Sequence, residues 1–385
     1  MKLPTIFASV FAAGVAVHLV IAHAMGYFSL YQAGEIDRVS SSLSPESAQS
    51  RIAEDSLLHV YNDTLGFGEV FVISLRERSD KRDTISVQAA LSNISLTFVD
   101  GVVGKEVSEK ALPYGLDRTP PEVGCWRSHL DVMQRMVQQR IQSALIFEDD
   151  ADWDVAIKAQ MLQVARGSRW LLDSSGDRVP SSPYGDGWDV LWIGHCSAEP
   201  IDRRRWVIPK DPTVVPPSDR GYWFKPDMTS WESGPFPDTQ TRLIFRSGFG
   251  GCSAAWAISL AGAEKILYRL SMSPFNDAID MGVSTMCADG TLGINCISPF
   301  PAIIGVSKPA GSIQRGSDIR VESSDTPDGV REQAESEKLV FSTRLNIERL
   351  IARDTHFESS YPAITGRYMS LENIESGVGH GEWVD

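Results

Sequence analysis

Basic side chains are in deficit: 36 Lys and Arg stand against 50 Asp and Glu, a formal charge of −14 over 385 residues. Such a chain repels polyphosphate backbones, which argues against nucleic acid as a partner. An anionic substrate must then meet local Arg or Lys, or a cation held by carboxylates. Cysteine is scarce as well. Cys125, Cys196, Cys252, Cys287 and Cys296 contain no CxxC spacing, so a zinc site is not indicated. The odd count leaves at least one thiol over; the short Cys287–Cys296 loop is the simplest disulfide, and Cys125 reads as a buried structural cysteine. Neither a nucleophile elbow nor a metal-binding His cluster is present, which leaves a metal-dependent hydrolase without support. Internal repeats are also absent.

Charge is missing from the amino end: none appears between Lys2 and Glu35. Thr5 to Met25 is long enough to cross a bilayer as a helix, with His18 and His23 as its only strongly polar breaks. Tyr27, Phe28 and Tyr31 fit an interfacial aromatic belt, and Lys2 favours a cytosolic amino end. The rival is a cleaved signal peptide, for which Ala22-His23-Ala24 resembles the cut site. Either reading sends the bulk of the chain into the secretory lumen. The first expects a single-pass protein of the Golgi or endoplasmic reticulum membrane, held through residues 5–25. The sequons at Asn62 and Asn93 agree with that address.

Against these absences, 42% of the residues are hydrophobic, enough for one large or two modest cores. The expected organisation is an anchor over 1–31, a Ser-rich stem over 32–66, an α/β domain over 67–317 and an acidic extension over 318–385. Val70 to Leu75 reads as a buried strand, followed by a helical stretch from Asp80 to Leu91 and a second strand from Leu96 to Val99. Trp126, Leu130, Met133 and Val137 recur at helical spacing. Strands at 144–147 and 189–193, a strand–helix pair over 253–270, a helix over 276–286 and a strand over 295–298 follow. This alternation predicts a mostly parallel sheet flanked by helices. Residues 199–247 break the rhythm with prolines and with Trp206, Trp223 and Trp231, side chains able either to stack on a sugar or to anchor a flap. One amphipathic helix is expected around 340–351.

Glu148-Asp149-Asp150 ends the apolar run Ala144 to Phe147. Three adjacent carboxylates repel one another, and a divalent cation removes that conflict; Mn²⁺ or Mg²⁺ is typically held by one or two carboxylates together with substrate phosphates. A solvated acidic turn is the alternative. Ligands gather at the carboxyl ends of strands in α/β sheets, so this is where a site is expected.

Phe71-Val72-Ile73-Ser74-Leu75-Arg76-Glu77-Arg78-Ser79-Asp80-Lys81-Arg82 resembles the opening motif of glycosyltransferase family 25, which includes lipooligosaccharide and collagen β-galactosyltransferases. Gly124-Cys125-Trp126-Arg127-Ser128-His129 is similar to the family's helix start, Ala144 to Asp150 to its acidic strand end, and Ala255 to Ser259 with Gly262-Ala263 to its later strand–helix signature, with Trp256 where Tyr is usual. The resemblance covers roughly residues 69–310. It implies a GT-A type fold, a UDP-hexose donor (UDP-galactose foremost), a glycan, protein or lipid acceptor, and transfer with inversion. Carried over by position, Asp149 and Asp150 would bind metal. Arg76, Arg78, Arg82, Ser128, His129 and Glu148 would lie at the donor. Asp277 or Asp280 would be the base, a choice the motif leaves open. His195, ending the 189–193 strand, is a further donor-side candidate, with a satisfied core histidine as the other reading. A non-catalytic module that binds glycans or a partner is the second function carried forward.

Overall fold

The computed structural model describes residues 56–173, 179–319, 329–374 and 376–384. The expected anchor at 5–25 and most of the expected stem lie outside these residues. Among the described residues no helix is long and apolar enough to cross a membrane.

In chain order the strands are β1 (Glu69–Ser74), β2 (Thr97–Asp100), β3 (Ser143–Glu148), β4 (Ala151–Trp153), β5 (Val190–Gly194), β6 (Ser197–Pro200), β7 (Arg204–Ile208), β8 (Arg242–Gly251), β9 (Ala255–Ser259), β10 (Cys296–Phe300) and β11 (Ile304–Lys308). The principal helices are α1 (Ser79–Leu91), α2 (Pro120–Gln139), α3 (Ile157–Leu171), α4 (Leu260–Ser271) and α5 (Ile279–Asp289).

The central sheet has the order β7-β8-β10-β5-β9-β3-β1-β2, with His380–Trp383 added beside β7. Strands β2, β1, β3, β5 and β10 share one direction. The expectation of a largely parallel sheet flanked by helices holds in that centre. It is interrupted by β9, which runs antiparallel between β3 and β5, and by β8, which runs antiparallel between β10 and β7.

Alternation along the strands builds two cores, because successive side chains leave opposite faces. Val70, Val72, Leu145 and Phe147 join Ile85 of α1 and Ile157, Met161 and Val164 of α3 on one face. Phe71, Ala144 and Ile146 join Val123, Trp126, Leu130 and Met133 of α2 on the other. That stripe is the one the sequence spacing gave, with Val137 packed at its margin. Helix α2 begins three residues earlier than its apolar phase suggests, because Pro120 occupies its first turn and Thr119 and Glu122 form a reciprocal cap.

Three boundaries read from sequence need correction. Leu57, Val60 and Leu65 are buried in the first core, so the packed domain begins by Ser56 instead of at 67. The region 318–385 is no appendage. Glu335–Ser336 pairs with β11, and Val340 and Phe341 are fully buried with Val215 and Phe357. The helix expected over 340–351 shrinks to Ile347–Ile351, because Val340 to Thr343 instead run under the domain, bonded to Asp152, Asp154 and the backbone beside them. Its acidic composition hid this: the buried residues are few and lie between solvated ones. Phe341→Ala is therefore expected to lower the unfolding free energy of the whole domain by about 3–5 kcal/mol. Urea unfolding followed by tryptophan fluorescence checks this; a change under about 0.5 kcal/mol would restore the appendage.

Candidate active site

A cavity of about 310 Å³ opens where β1 and β3 end. Its floor is Ile73 to Leu75, the loop Gly101–Lys105 and the first turns of α2, and its rim carries Glu148, Asp149, Asp150 and Asp318. Two glycines allow this closeness. A Cβ on Gly124 would lie 2.4 Å from the Val102 carbonyl oxygen, and one on Gly104 would lie 1.7 Å from that of Pro120. Ser128 fastens the same loop: its Oγ accepts from the Val102 amide at 2.8 Å and donates to the Gly124 carbonyl at 2.7 Å. Ser128 thus lines the cavity mainly as a clasp.

His129 is buried, with Nε2 3.3 Å from Glu148 Oε1 and its ring against the edge of Trp256. Ser253 Oγ also donates to Glu148 Oε1, at 2.5 Å. Burial alone would raise the Glu148 carboxyl, but His129, Ser253 and Lys81 outweigh it and hold the group below the usual carboxylate range. Asp150 goes the other way. Burial, reinforced by Glu148 and Asp149 and opposed by Lys81 and Arg344, lifts it to about 6. Its Oδ1 is buried with no hydrogen-bond partner. A carboxylate oxygen left bare beside two other acids is a site that fits a divalent cation. Trp256 is fully buried against Trp192, so it packs and makes no contact with the cavity.

Lys81 was not singled out from sequence, yet it is the centre of the acidic rim. Its Nζ lies 2.9 Å from Asp149 Oδ1, 3.7 Å from Asp150 Oδ2 and 2.8 Å from Asp318 Oδ2. Burial would depress the ammonium, but the acids, Asp150 foremost, raise it above its ordinary value. The signal was available: Lys81 shares the buried phase of α1 with Ile85 and Gln88, whereas Arg82 does not. Arg344, also missed, donates to the Asp149 and Ala151 carbonyls at 2.9 and 2.8 Å and so holds the acidic turn from the carboxyl-terminal segment.

The remaining nominated residues separate. Arg76 is 81% exposed and pairs with Asp100 at 2.5 Å; Arg82 pairs with the same carboxylate and with the Ser74 carbonyl. Neither lines the cavity. Arg78 is absent from the lining too; its Nε and Nη2 bond Asp80 and its Nη1 meets Asp318, which does line the cavity. Asp277 caps the Ala278 amide and meets Arg118 in a separate surface groove. Asp280 does not line the cavity either, but its Oδ2 accepts from the Cys252 amide at 2.7 Å, one residue before the Ser253 that binds Glu148. Cys252 is disulfide-bonded to Cys196, a pair the sequence did not suggest, while Cys287–Cys296 is bonded as expected and Cys125 is a free thiol. Of the insert's tryptophans, Trp206 packs tilted against Trp170 and Trp231 bonds Glu382, as flap anchors do; Trp223 is 81% exposed.

His195 stands outside the cavity. It is a buried core residue against Tyr222, with Nε2 donating to the Pro299 carbonyl at 2.6 Å and Nδ1 buried without a hydrogen-bond partner. Burial holds its imidazole down to about 4 from an ordinary 6.5. A depressed basic group favours the fold when neutral, so its contribution is complete above 6.5 and is lost as the pH falls from 6.5 to 4. His195→Gln is expected to remove that loss. Its stability relative to wild type should rise by roughly 3 kcal/mol between pH 7 and pH 4 in urea unfolding. A pH-independent difference would refute the buried neutral ring.

Residues 67–166, which supply most of this cavity, match the model for glycosyltransferase family 25 (LPS biosynthesis protein). The chain is 27% identical over 280 residues to the Homo sapiens protein named inactive glycosyltransferase 25 family member 3, covering 66% of this chain and 40% of that one. It is 27% identical over 182 residues to procollagen galactosyltransferase 1 of Danio rerio, covering 44% of this chain and 28% of the relative. The chain therefore spans less than half the length of these relatives.

Proposed function

We propose that this chain, which carries a glycosyltransferase family 25 region over residues 67–166, transfers a hexose from a UDP-sugar to an acceptor hydroxyl. The observation that carries the reading is the convergence of Glu148, Asp149 and Asp150 with His129 and Ser128 on one cavity inside the matched region. UDP-galactose is the leading donor, by likeness to the procollagen galactosyltransferases. A glycan, protein or lipid would supply the acceptor.

Asp149 and the bare Oδ1 of Asp150 would hold Mn²⁺ or Mg²⁺, which when bound neutralises charge on a departing diphosphate. His129 and Ser253 keep Glu148 ionised and fixed beside them. Asp280 is the base of choice over Asp277: its Oδ2 is fixed by the Cys252 amide, leaving Oδ1 to take the acceptor proton as the hydroxyl attacks. Inversion follows from a single in-line displacement. A lumenal address for the domain is supported by the two disulfides and by the sequons, and residues 5–25 would tether it.

The test is product analysis with the purified full-length chain, UDP-galactose or UDP-glucose, and a panel of acceptor hydroxyls. Acceptor-dependent UDP release with a new glycosidic product supports transfer; release of free sugar without an acceptor marks a hydrolase. A binding-only protein is favoured by one observation besides the inactive relative: Lys81 already stands among the acids. That reading requires a folded protein with no turnover and no calorimetric heat on adding UDP-sugar and Mn²⁺.

A further inference from the structure

The donor side of the cavity contains a contact that neither the motif nor the relatives explain. Asp318 lies 240 residues from Arg78 in sequence, yet Arg78 Nη1 contacts both of its carboxylate oxygens while Nε and Nη2 hold Asp80. Lys81 Nζ donates to the same carboxylate at 2.8 Å. Arg78 Nη2 also holds the Arg315 carbonyl at 2.9 Å, so the loop carrying Asp318 is fastened twice to the start of α1. The two cations are built into the domain, with side chains 15% and 9% exposed, while the anion is the more open member at 33%. Asp318 itself lines the cavity.

Two fixed cations closing on one oxyanion form an anion clamp, Lys81 from the pocket lining and Arg78 Nη1 from just behind it, and such charge-assisted donors suit phosphate as well as carboxylate. We infer that Asp318 is an internal stand-in for the donor's diphosphate: it occupies the Arg78–Lys81 clamp in the donor-free protein and yields it when the nucleotide enters. The inference rests on the proposed function and deepens it. It assigns the diphosphate subsite to Arg78 and Lys81, and it assigns a competing, self-inhibitory role to Asp318. The exchange replaces one monoanion by a more highly charged ligand, which the net negative rim tolerates only because both cations change partners together. Asp149 then loses a share of Lys81, so the acidic pair becomes more demanding of a divalent cation as the donor arrives.

The direction of the effect distinguishes this role from ordinary support. A self-ligand that fills the site lowers apparent affinity by the fraction of time it is seated; a latch closed nine parts in ten weakens binding about tenfold. Calorimetry of the full-length chain with UDP, and separately with inorganic pyrophosphate, in EDTA should show Asp318→Asn binding both about tenfold more tightly than wild type. Lys81→Met should bind both more weakly, by at least tenfold. Hydrogen exchange provides a second readout: amides of 313–319 should exchange faster in wild type once UDP is added, and already do so in Asp318→Asn. Unchanged or weaker UDP binding in Asp318→Asn, with thermal unfolding as in wild type, overturns the inference. If transfer activity persists alongside that result, the transferase reading stands without it. If neither protein binds UDP nor transfers sugar, both readings fall.

Discussion

Exchanging Asp149 and Asp150 together for Asn is expected to reduce acceptor-dependent transfer by about 10²-fold or more, the rate equivalent of the several kcal/mol that a bound cation contributes to a developing charge. EDTA should produce the same loss in wild type, reversed by Mn²⁺ or Mg²⁺, and should have little further effect on the double variant. Stability offers a control. A carboxyl whose folded value is raised to about 6 from 3.8 costs stability as the pH climbs through that window, so removing Asp150 relieves that cost at neutral pH. The double exchange also takes two carboxylates from the buried Lys81 ammonium, so thermal unfolding at pH 7 is measured beside turnover, and a loss of turnover in a variant that is still folded at the assay temperature reports lost chemistry. Robust transfer by the double variant in EDTA would show that Lys81 alone suffices as the cation beside the acids, and would end the metal role.

Lys81 also shows where sequence reading stopped. Strand β3 and the acidic triplet were legible because an unbroken apolar run leading into three carboxylates is a local pattern, and α2 was legible from its apolar spacing. Those segments place Ser128, His129, Glu148, Asp149 and Asp150 around one cavity. What was hidden is what arrives from far along the chain. Asp318 and Arg344 reach the rim from a polar tail whose buried positions, Val340 and Phe341 among them, are too few to give a period. Among the basic residues of the opening motif, charge alone does not say which way a side chain turns. Arg76 and Arg82 turn to Asp100, and Lys81, in the phase of Ile85, turns inward. The antiparallel entry of β9 is likewise a property of the β8–β9 connection, which no strand-by-strand reading can supply.

The choice between Asp277 and Asp280 was open in the motif, and the fold makes it decidable by experiment. Asp277 Oδ1 accepts from the Ala278 amide and from Arg118, in a groove apart from the cavity. Asp280 is bonded to Cys252, which the disulfide to Cys196 and the Ser253–Glu148 bond fix relative to the cavity. A proton acceptor in catalysis contributes about 10²–10⁴ in rate, and it does so only when its position is held against the attacking oxygen. Asp280→Asn is accordingly expected to lower kcat by about 10²–10⁴ while the KM for the UDP-sugar changes little, since Asn keeps the bond from the Cys252 amide. Asp277→Asn should cost less than about tenfold, through a loosened start of α5. Steady-state kinetics on the two variants, with intact folding shown by circular dichroism, settles the assignment. The reverse ranking would move the base to the outer groove, and an equal, small effect of both would mean that the acceptor loses its proton to another group, with Glu148 the nearest ionised candidate.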